Sequence, residues 1–126
     1  MLQKFFALLF FASLHAMAAT PAELLAGYTA QAGQPANAAK GEAFFKASHG
    51  QEWQCTSCHG KSPMTGGRHA STDKAIEPLA PAANAKRFTD SAKVEKWFRR
   101  NCKDVLAREC SAAEKADVLA WLISVR

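Results

Sequence analysis

Five consecutive residues near the middle of this 126-residue chain, Cys55-Thr56-Ser57-Cys58-His59, form the pattern C-x-x-C-H. Two thiols at this spacing can each add to a vinyl group of a haem, and the histidine that follows is then placed to bind the iron from one face. The same cysteine pair could belong to a thioredoxin-like redox motif or to half of a zinc site. The first needs a βαβ unit, and the second needs another well-spaced ligand pair. The sequence offers neither, so it predicts one covalently attached haem c held by Cys55, Cys58 and His59.

The N-terminal segment has the features of a secretory signal peptide. One positive charge lies in residues 1–4, an apolar run covers residues 5–14, and the small residues Ala16 and Ala18 flank Met17. The run is shorter than the roughly 20 residues that a membrane-spanning helix needs. We therefore predict that residues 1–18 are removed on export to the periplasm. Residues 19–126 are then expected to form one monohaem cytochrome c domain without a membrane span.

Capping residues and apolar spacing predict four helices in the exported chain. The helices are expected to begin at Thr20, Asn37, Asp90 or Ser91, and Ser111, and to end near Gly33, Ala47, Lys103 and the C-terminus. Residues 60–87 hold three of the five prolines and are predicted to be mostly loop. No useful stretch alternates with the period of a strand. The sequence thus predicts an all-α fold around one haem, with Phe45 and Trp121 packed against each other or against the porphyrin.

The residue on the other face of the iron is less obvious. A simple electron-carrying cytochrome c uses a methionine sulfur there. Export would leave only Met64, five residues after His59, where its sulfur is poorly placed to reach the opposite face. His49 or His69 could complete a bis-histidine site, although each is more often simply an exposed loop histidine.

The third predicted helix offers another candidate. At about 100° per residue, Asn101 lies on the apolar face of this helix, together with the following residues: Val94, Trp97, Phe98 and Cys102. An amide buried there costs about 1–3 kcal/mol unless a partner satisfies it. Asn101 could instead end the helix in a left-handed conformation, as asparagine often does. The residues alone leave both interpretations open.

The opposite face of the same helix is strongly basic in a chain of formal net charge +5. It carries Lys93, Lys96, Arg99, Arg100 and Lys103. Such a face is usually just solvated, but it can also dock an acidic redox partner. A nucleic-acid partner is not expected, because the chain is exported and contains no recognition motif.

Several segments together form a recognisable pattern. They are residues 21–28, the haem motif, residues 76–81 and 87–97, Arg100-Asn101-Cys102, Cys110 and residues 114–122. In these segments the chain resembles the sphaeroides haem protein family of class I-like c-type cytochromes, which is related to cytochrome c″. The resemblance implies that Asn101 is the second axial ligand, where the cytochrome c″ type has a histidine.

The same resemblance implies a function. In this family the asparagine is released on reduction, and the five-coordinate ferrous haem binds oxygen and nitric oxide. The electron donor would be a multihaem c-type cytochrome or a membrane cytochrome b. An oxygen- or nitric-oxide-handling activity is compatible with such a site.

The residues support this mechanism independently. A neutral amide oxygen is a hard, weak donor that prefers ferric to ferrous iron, so reduction should weaken its bond. Val94, Trp97 and Phe98 would then form the apolar surroundings that control access. The alternative is a plain electron-transfer cytochrome, six-coordinate in both states through His49 or His69.

Cys102 and Cys110 are the two cysteines outside the haem motif. In an oxidising compartment they are predicted to form a disulfide, as the family resemblance also implies. The short loop it closes corresponds to roughly 2.5 kcal/mol of stabilisation in the chain-entropy estimate. We expect a structural bond that also holds the turn carrying Asn101.

Overall fold

A computed structural model describes residues 18–126, and the predicted signal peptide therefore lies outside the described residues except for Ala18. Within this range the chain forms five helices and one pair of very short strands. In chain order they are α1 (Pro21–Ala32), α2 (Ala38–Lys46), α3 (Cys55–His59), β1 (Gly67–Arg68), β2 (Ala75–Ile76), α4 (Ser91–Leu106) and α5 (Ala112–Ser124). None of the helices between residues 18 and 126 has the length and hydropathy of a transmembrane span.

The predicted helix starts are confirmed by their capping hydrogen bonds. The Thr20 hydroxyl accepts from the Glu23 amide, and the Glu23 carboxylate accepts from the Thr20 amide. Asn37 caps α2 by accepting from the amide of Lys40 at 2.9 Å. These bonds satisfy amides that the first turn of a helix leaves without partners, which is why local sequence locates the starts well.

Two features differ from the sequence-based expectation. The haem motif forms a short helix of its own, and the loop of residues 60–87 contains an antiparallel pair in which Gly67 faces Ile76. Strands of two residues are too short for any alternation of apolar and polar residues to reveal them.

Helix α4 also continues beyond its predicted end. It runs to Leu106, and Ala107 caps it with a left-handed φ of 56°. Asn101 therefore lies inside the helix, and the interpretation of Asn101 as its C-terminal cap is wrong.

The core is built on α5, which packs closely against α1 on one side and α2 on the other. Tyr28, Ala116 and Leu119 form the cluster on the α1 side. The cluster on the α2 side consists of Phe45, Val118, Trp121 and Leu122. The polar faces of these helices remain exposed, as expected for amphipathic helices around one small core.

A glycine allows α2 and α5 to come this close. A Cβ atom on Gly41 would lie 1.9 Å from the backbone oxygen of Asp117. Beside this crossing, the amide of Asn37 donates to the Asp117 carboxylate at 2.7 Å. The two helices are therefore joined by direct backbone approach at this point.

Replacing Gly41 by alanine should force α2 and α5 apart. We expect Gly41→Ala to lower the free energy of unfolding by about 1–3 kcal/mol, the usual range for overpacking a core. Gly27→Ala is the matched control, because a Cβ at Gly27 in α1 meets nothing within 4 Å. The control should raise stability by about 0.5–1 kcal/mol, since alanine has the better helix propensity. Thermal denaturation of both variants tests this, and equal effects would contradict it.

Glu114 at the start of α5 is held by three hydrogen bonds. Its carboxylate accepts from the Ser111 amide at 2.8 Å and from two guanidinium nitrogens of Arg108 at 2.8 and 2.9 Å. The bonds from Arg108 are the main reason that the pKa of Glu114 lies below its ordinary value, while partial burial acts in the opposite direction.

This carboxylate should make stability depend on pH. Its folded pKa lies below the unfolded one, so the unfolded chain binds more protons in the window between them. The stabilisation is thus complete above the ordinary value of about 4.5 and is lost as the pH falls below it. Glu114→Gln should lower the melting temperature at neutral pH and flatten its decline in acid. Glu42→Gln, which removes an exposed pair with Lys46, should change this acid decline much less.

Candidate haem site

Helix α3 places the two motif cysteines on the same side of the chain. Its start is held by a hydrogen bond from the Gln54 amide to the Ser57 hydroxyl at 3.0 Å, and it ends at Gly60, whose φ is 73°. Residues three apart in a helix share a face, so the side chains of Cys55 and Cys58 lie one turn apart. Both thiols are half-buried, and they are not bonded to each other. They are available as two attachment points.

The β1–β2 hairpin packs directly behind α3. A Cβ atom on Gly67 would lie 1.9 Å from the backbone oxygen of Cys58, so only glycine fits there without displacement. The amide of Ala70 also points to the Cys58 sulfur at 3.3 Å. The sequence predicted only a loop for residues 60–87, yet Gly67 in that loop lets the hairpin support the motif.

His59 lies against the core rather than in solvent. Its ring centroid is 6.1 Å from that of Phe45, which in turn lies 5.1 Å from Trp121. The predicted contact between Phe45 and Trp121 is thus confirmed. The Nδ1 atom of His59 is buried and has no hydrogen-bond partner among the described residues.

The surroundings of His59 favour its neutral form. Burial, and secondarily the positive charge of Arg87, lower the pKa of His59 to about 4. At neutral pH the imidazole therefore carries no charge, and this is the form that binds a metal.

The environment of Cys55 argues against a redox dithiol. Burial raises the pKa of the Cys55 thiol to about 11, whereas thioredoxin-like motifs lower the pKa of their reactive cysteine. Zinc also lacks support, because Cys102 and Cys110 are bonded to each other. Between residues 18 and 126, no group of three or more His, Cys, Asp or Glu side chains is placed to hold a metal ion.

The residues present fit a covalently attached haem. Two unbonded thiols share one face of α3, a neutral buried imidazole follows them, and the aromatic side chains of Phe45 and Trp121 provide an apolar wall. Cys55 and Cys58 would hold the porphyrin and His59 the iron.

The disulfide between Cys102 and Cys110 is confirmed, with Cα atoms 5.6 Å apart. It joins the last turns of α4 to the residue that precedes the Ser111 cap of α5. The residue directly before the bonded Cys102 is Asn101.

Asn101 occupies the interior of α4 and is half-buried. Its side chain makes no hydrogen bond to any residue of the described range. Trp97, one turn earlier, is 42% exposed. Val94 and Phe98 pack against the cluster around Tyr28 instead. That these three apolar side chains surround the iron ligand stays a prediction.

The two alternative histidines are both engaged locally. His49 shares a hydrogen bond of 2.8 Å between its Nε2 and the backbone oxygen of Phe44. His69 accepts from the amides of Ser71 and Thr72 through Nδ1, at 3.3 Å each. Each histidine thus has one ring nitrogen that is already hydrogen-bonded within the protein.

Arg87 is a residue whose role the sequence reasoning missed. Its guanidinium donates to the backbone oxygens of Pro78 at 2.8 Å and Glu77 at 2.7 Å, and burial lowers its pKa. The next residue, Phe88, has a φ of 59° and contacts both core clusters. These hydrogen bonds join Arg87 to residues nine and ten positions earlier in a loop. The period of a helix or a strand does not predict a contact of this kind.

Covalent attachment can be tested directly. Expressed with the haem-attachment machinery, the wild-type chain should gain the mass of one haem. A Cys55→Ser/Cys58→Ser double variant should gain none, because neither hydroxyl replaces a thiol in forming a thioether. Mass spectrometry under denaturing conditions distinguishes the two, and Cys102→Ser/Cys110→Ser is the control that should retain the haem mass. Haem mass retained on the first variant would contradict the assignment.

Comparison with known proteins agrees with this geometry. A family described as a domain of unknown function, DUF1924, matches residues 31–122. The cytochrome c-type protein SHP of Cereibacter sphaeroides is 50% identical over 107 residues, which cover 82% of each protein. Cytochrome c″ of Methylophilus methylotrophus is 46% identical over 80 residues, or 64% of this chain and 56% of that protein.

Solved structures of the same two kinds of protein are also similar. Oxidised SHP, described as an oxygen-binding cytochrome c, has a TM-score of 0.81 at 48% identity, covering 86% of this chain and 99% of that one. Oxidised cytochrome c″ from Methylophilus methylotrophus has a TM-score of 0.72 at 37% identity, covering 84% and 94%. The chain therefore belongs to the SHP and cytochrome c″ family, and it is an all-α, monohaem c-type cytochrome.

Proposed function

We propose that this cytochrome is exported to the periplasm and binds oxygen or nitric oxide after reduction. In this proposal His59 is the permanent axial ligand, and Asn101 is a second ligand that is released when the iron is reduced. The haem, when bound, supplies a redox-active iron whose sixth coordination position can be taken or open. A similar structure is that of SHP, an oxygen-binding cytochrome c.

The observation that carries the proposal is the unpaired amide of Asn101. It lies inside α4, five residues before Leu106, and it is half-buried without an intramolecular hydrogen bond among the described residues. Ala107 ends the helix, so Asn101 has no capping role. Because no residue of the described range occupies this amide, its oxygen can bind the iron without breaking a hydrogen bond within the protein.

The chemistry of the amide explains why the bond would depend on redox state. Its neutral oxygen is a hard and weak donor, which suits ferric iron better than ferrous iron. The neutral imidazole of His59, held against Phe45, is a ligand that suits both states. Reduction is therefore expected to weaken the bond from Asn101 to the iron more than the bond from His59.

The electron-transfer alternative requires a histidine that the fold has already engaged. His49 donates to the backbone oxygen of Phe44 through Nε2, so only its Nδ1 could bind the iron, and His69 would have to give up its bonds from two loop amides. Asn101 loses no such bond on coordinating iron, and for this reason we favour it over either histidine.

Electrons would come from a redox partner, which we propose to be a multihaem c-type cytochrome or a membrane cytochrome b. The basic face of α4 is exposed as predicted, and it is suited to an acidic surface. This face comprises Lys93, Lys96, Arg99, Arg100 and Lys103.

Replacing Asn101 by alanine tests the axial ligand. In the holoprotein, Asn101→Ala should change the ferric optical spectrum and spin state, because the sixth ligand is lost. The reduction potential should rise, since a ligand that stabilised ferric iron is gone. A rise of about 60–120 mV would correspond to a ten- to hundredfold preference of the amide for the ferric state.

Carbon monoxide separates the two candidate functions. The reduced wild-type protein and Asn101→Ala should both bind it promptly, because the site is open in each. His49→Ala and His69→Ala should leave the ferric spectrum unchanged. If Asn101→Ala had no spectral effect and one of the histidine variants did, the protein would be a six-coordinate electron carrier.

A further inference from the structure

Helix α4, which carries Asn101, is attached to the rest of the chain differently from the other long helices. α1 and α2 pack closely along α5, whereas α4 comes near other helices only at isolated points in the described chain. Close packing of backbones therefore does not determine its position. Side chains that reach across the gap and the Cys102–Cys110 disulfide hold it instead.

Glu95 makes the central connection. Its Oε1 accepts a hydrogen bond of 2.5 Å from the hydroxyl of Tyr28 on α1. Its Oε2 accepts one of 3.1 Å from the ammonium group of Lys115 on α5. Tyr28 is only 4% exposed and the Lys115 side chain 17%, whereas the Glu95 side chain is 43% exposed. Solvent therefore reaches the carboxylate of this ion pair from one side, while both of its partners are held against the core.

Aromatic contacts reinforce the same connection. The ring of Phe98 on α4 meets the ring of Tyr28 edge to face, with centroids 5.7 Å apart. The Lys115 ammonium lies 5.5 Å from the Tyr28 centroid and 5.8 Å from the Phe98 centroid. We call the set of Tyr28, Glu95, Phe98 and Lys115 the Glu95 tether.

The charge states of the tether match its hydrogen bonds. The bond from Tyr28 is the main reason that the pKa of Glu95 is lowered, and burial is the main reason that the pKa of Tyr28 is raised. Near neutral pH, Glu95 is thus ionised and Tyr28 keeps the proton that it donates.

The tether and the disulfide lie on either side of Asn101 along the helix. Glu95 and Phe98 precede it by six and three residues, and the disulfide-bonded Cys102 follows it directly. At about 100° per residue, these three attachment points lie within an arc of about 60°. Asn101 lies on the neighbouring flank, about 90° from the centre of that arc. The backbone that carries the amide is therefore held on both sides.

We infer that the Glu95 tether is a positioning device for Asn101, setting how far its amide reaches toward the iron by holding α4 to α1 and α5. This inference rests on the proposed ligand role of Asn101. Weakening the tether should favour the released amide even in the ferric protein.

Two conservative variants of the holoprotein test the inference. Tyr28→Phe removes one hydroxyl and keeps the ring against Phe98, and Lys115→Met removes the charge and keeps an apolar stem. Each should move the ferric equilibrium from bound toward released Asn101 by about two- to thirtyfold, the range for residues that act on a site from a distance. The ferric spectrum measures this equilibrium. Glu42→Gln, which removes the exposed pair with Lys46 on α2, should leave the spectrum unchanged.

The Tyr28→Phe/Asn101→Ala double variant separates positioning from a general loss of stability. Once the amide is gone, the tether change should have no further effect on the ferric spectrum, although it can still lower the melting temperature. If Asn101→Ala alters the spectrum while Tyr28→Phe and Lys115→Met lower only the melting temperature, the tether is merely structural and the inference is wrong. An unaltered spectrum in Asn101→Ala would instead overturn the proposed ligand.

Discussion

The close crossing of α2 and α5 at Gly41 is the contact on which the haem site depends. Because no side chain separates the two backbones there, Phe45 in the following turn of α2 reaches Trp121 on α5. His59 lies against the Phe45 ring of this pair, and its own burial there is the main reason that its pKa is low and its imidazole neutral. A small chain has little apolar surface with which to build a core. The same side chains therefore serve both as core and as one side of a cofactor site, so packing and ligand geometry cannot be varied separately.

The two halves of the site differ in how firmly they are held. On the His59 side, α3 is supported by the hairpin, where the contact at Gly67 leaves no room for a side chain, and by the ring of Phe45 in the core. On the α4 side, the helix is held by a disulfide and by the Glu95 tether. A firmly packed side suits a ligand that stays, and a side held by a few directional bonds suits a ligand that leaves and returns. This difference supports the proposed division of roles between His59 and Asn101.

Much of the fold followed from short-range patterns. Thr20, Asn37 and Ser111 predicted the starts of three helices, because a capping bond involves residues only three apart. The end of α4 did not follow, since an alanine at a left-handed position gives no local signal, and Ala107 is held there by the loop that the disulfide closes. The hairpin was missed for a related reason: its two-residue strands are stabilised by contact with α3, not by their own alternation.

The sequence by itself determined the chemistry of the site. The spacing of Cys55, Cys58 and His59 specifies a haem attachment, because that reaction depends on residue types at fixed separations. The two remaining cysteines predicted a disulfide, because export would bring them into an oxidising compartment. Only the tertiary structure decided which polar side chains already have partners. It engaged both candidate histidines, left the amide of Asn101 unpaired within the described chain, and joined Tyr28, Glu95 and Lys115 across three helices. Hydrogen bonds between residues distant in sequence depend on how the helices pack, and no local pattern contains that information.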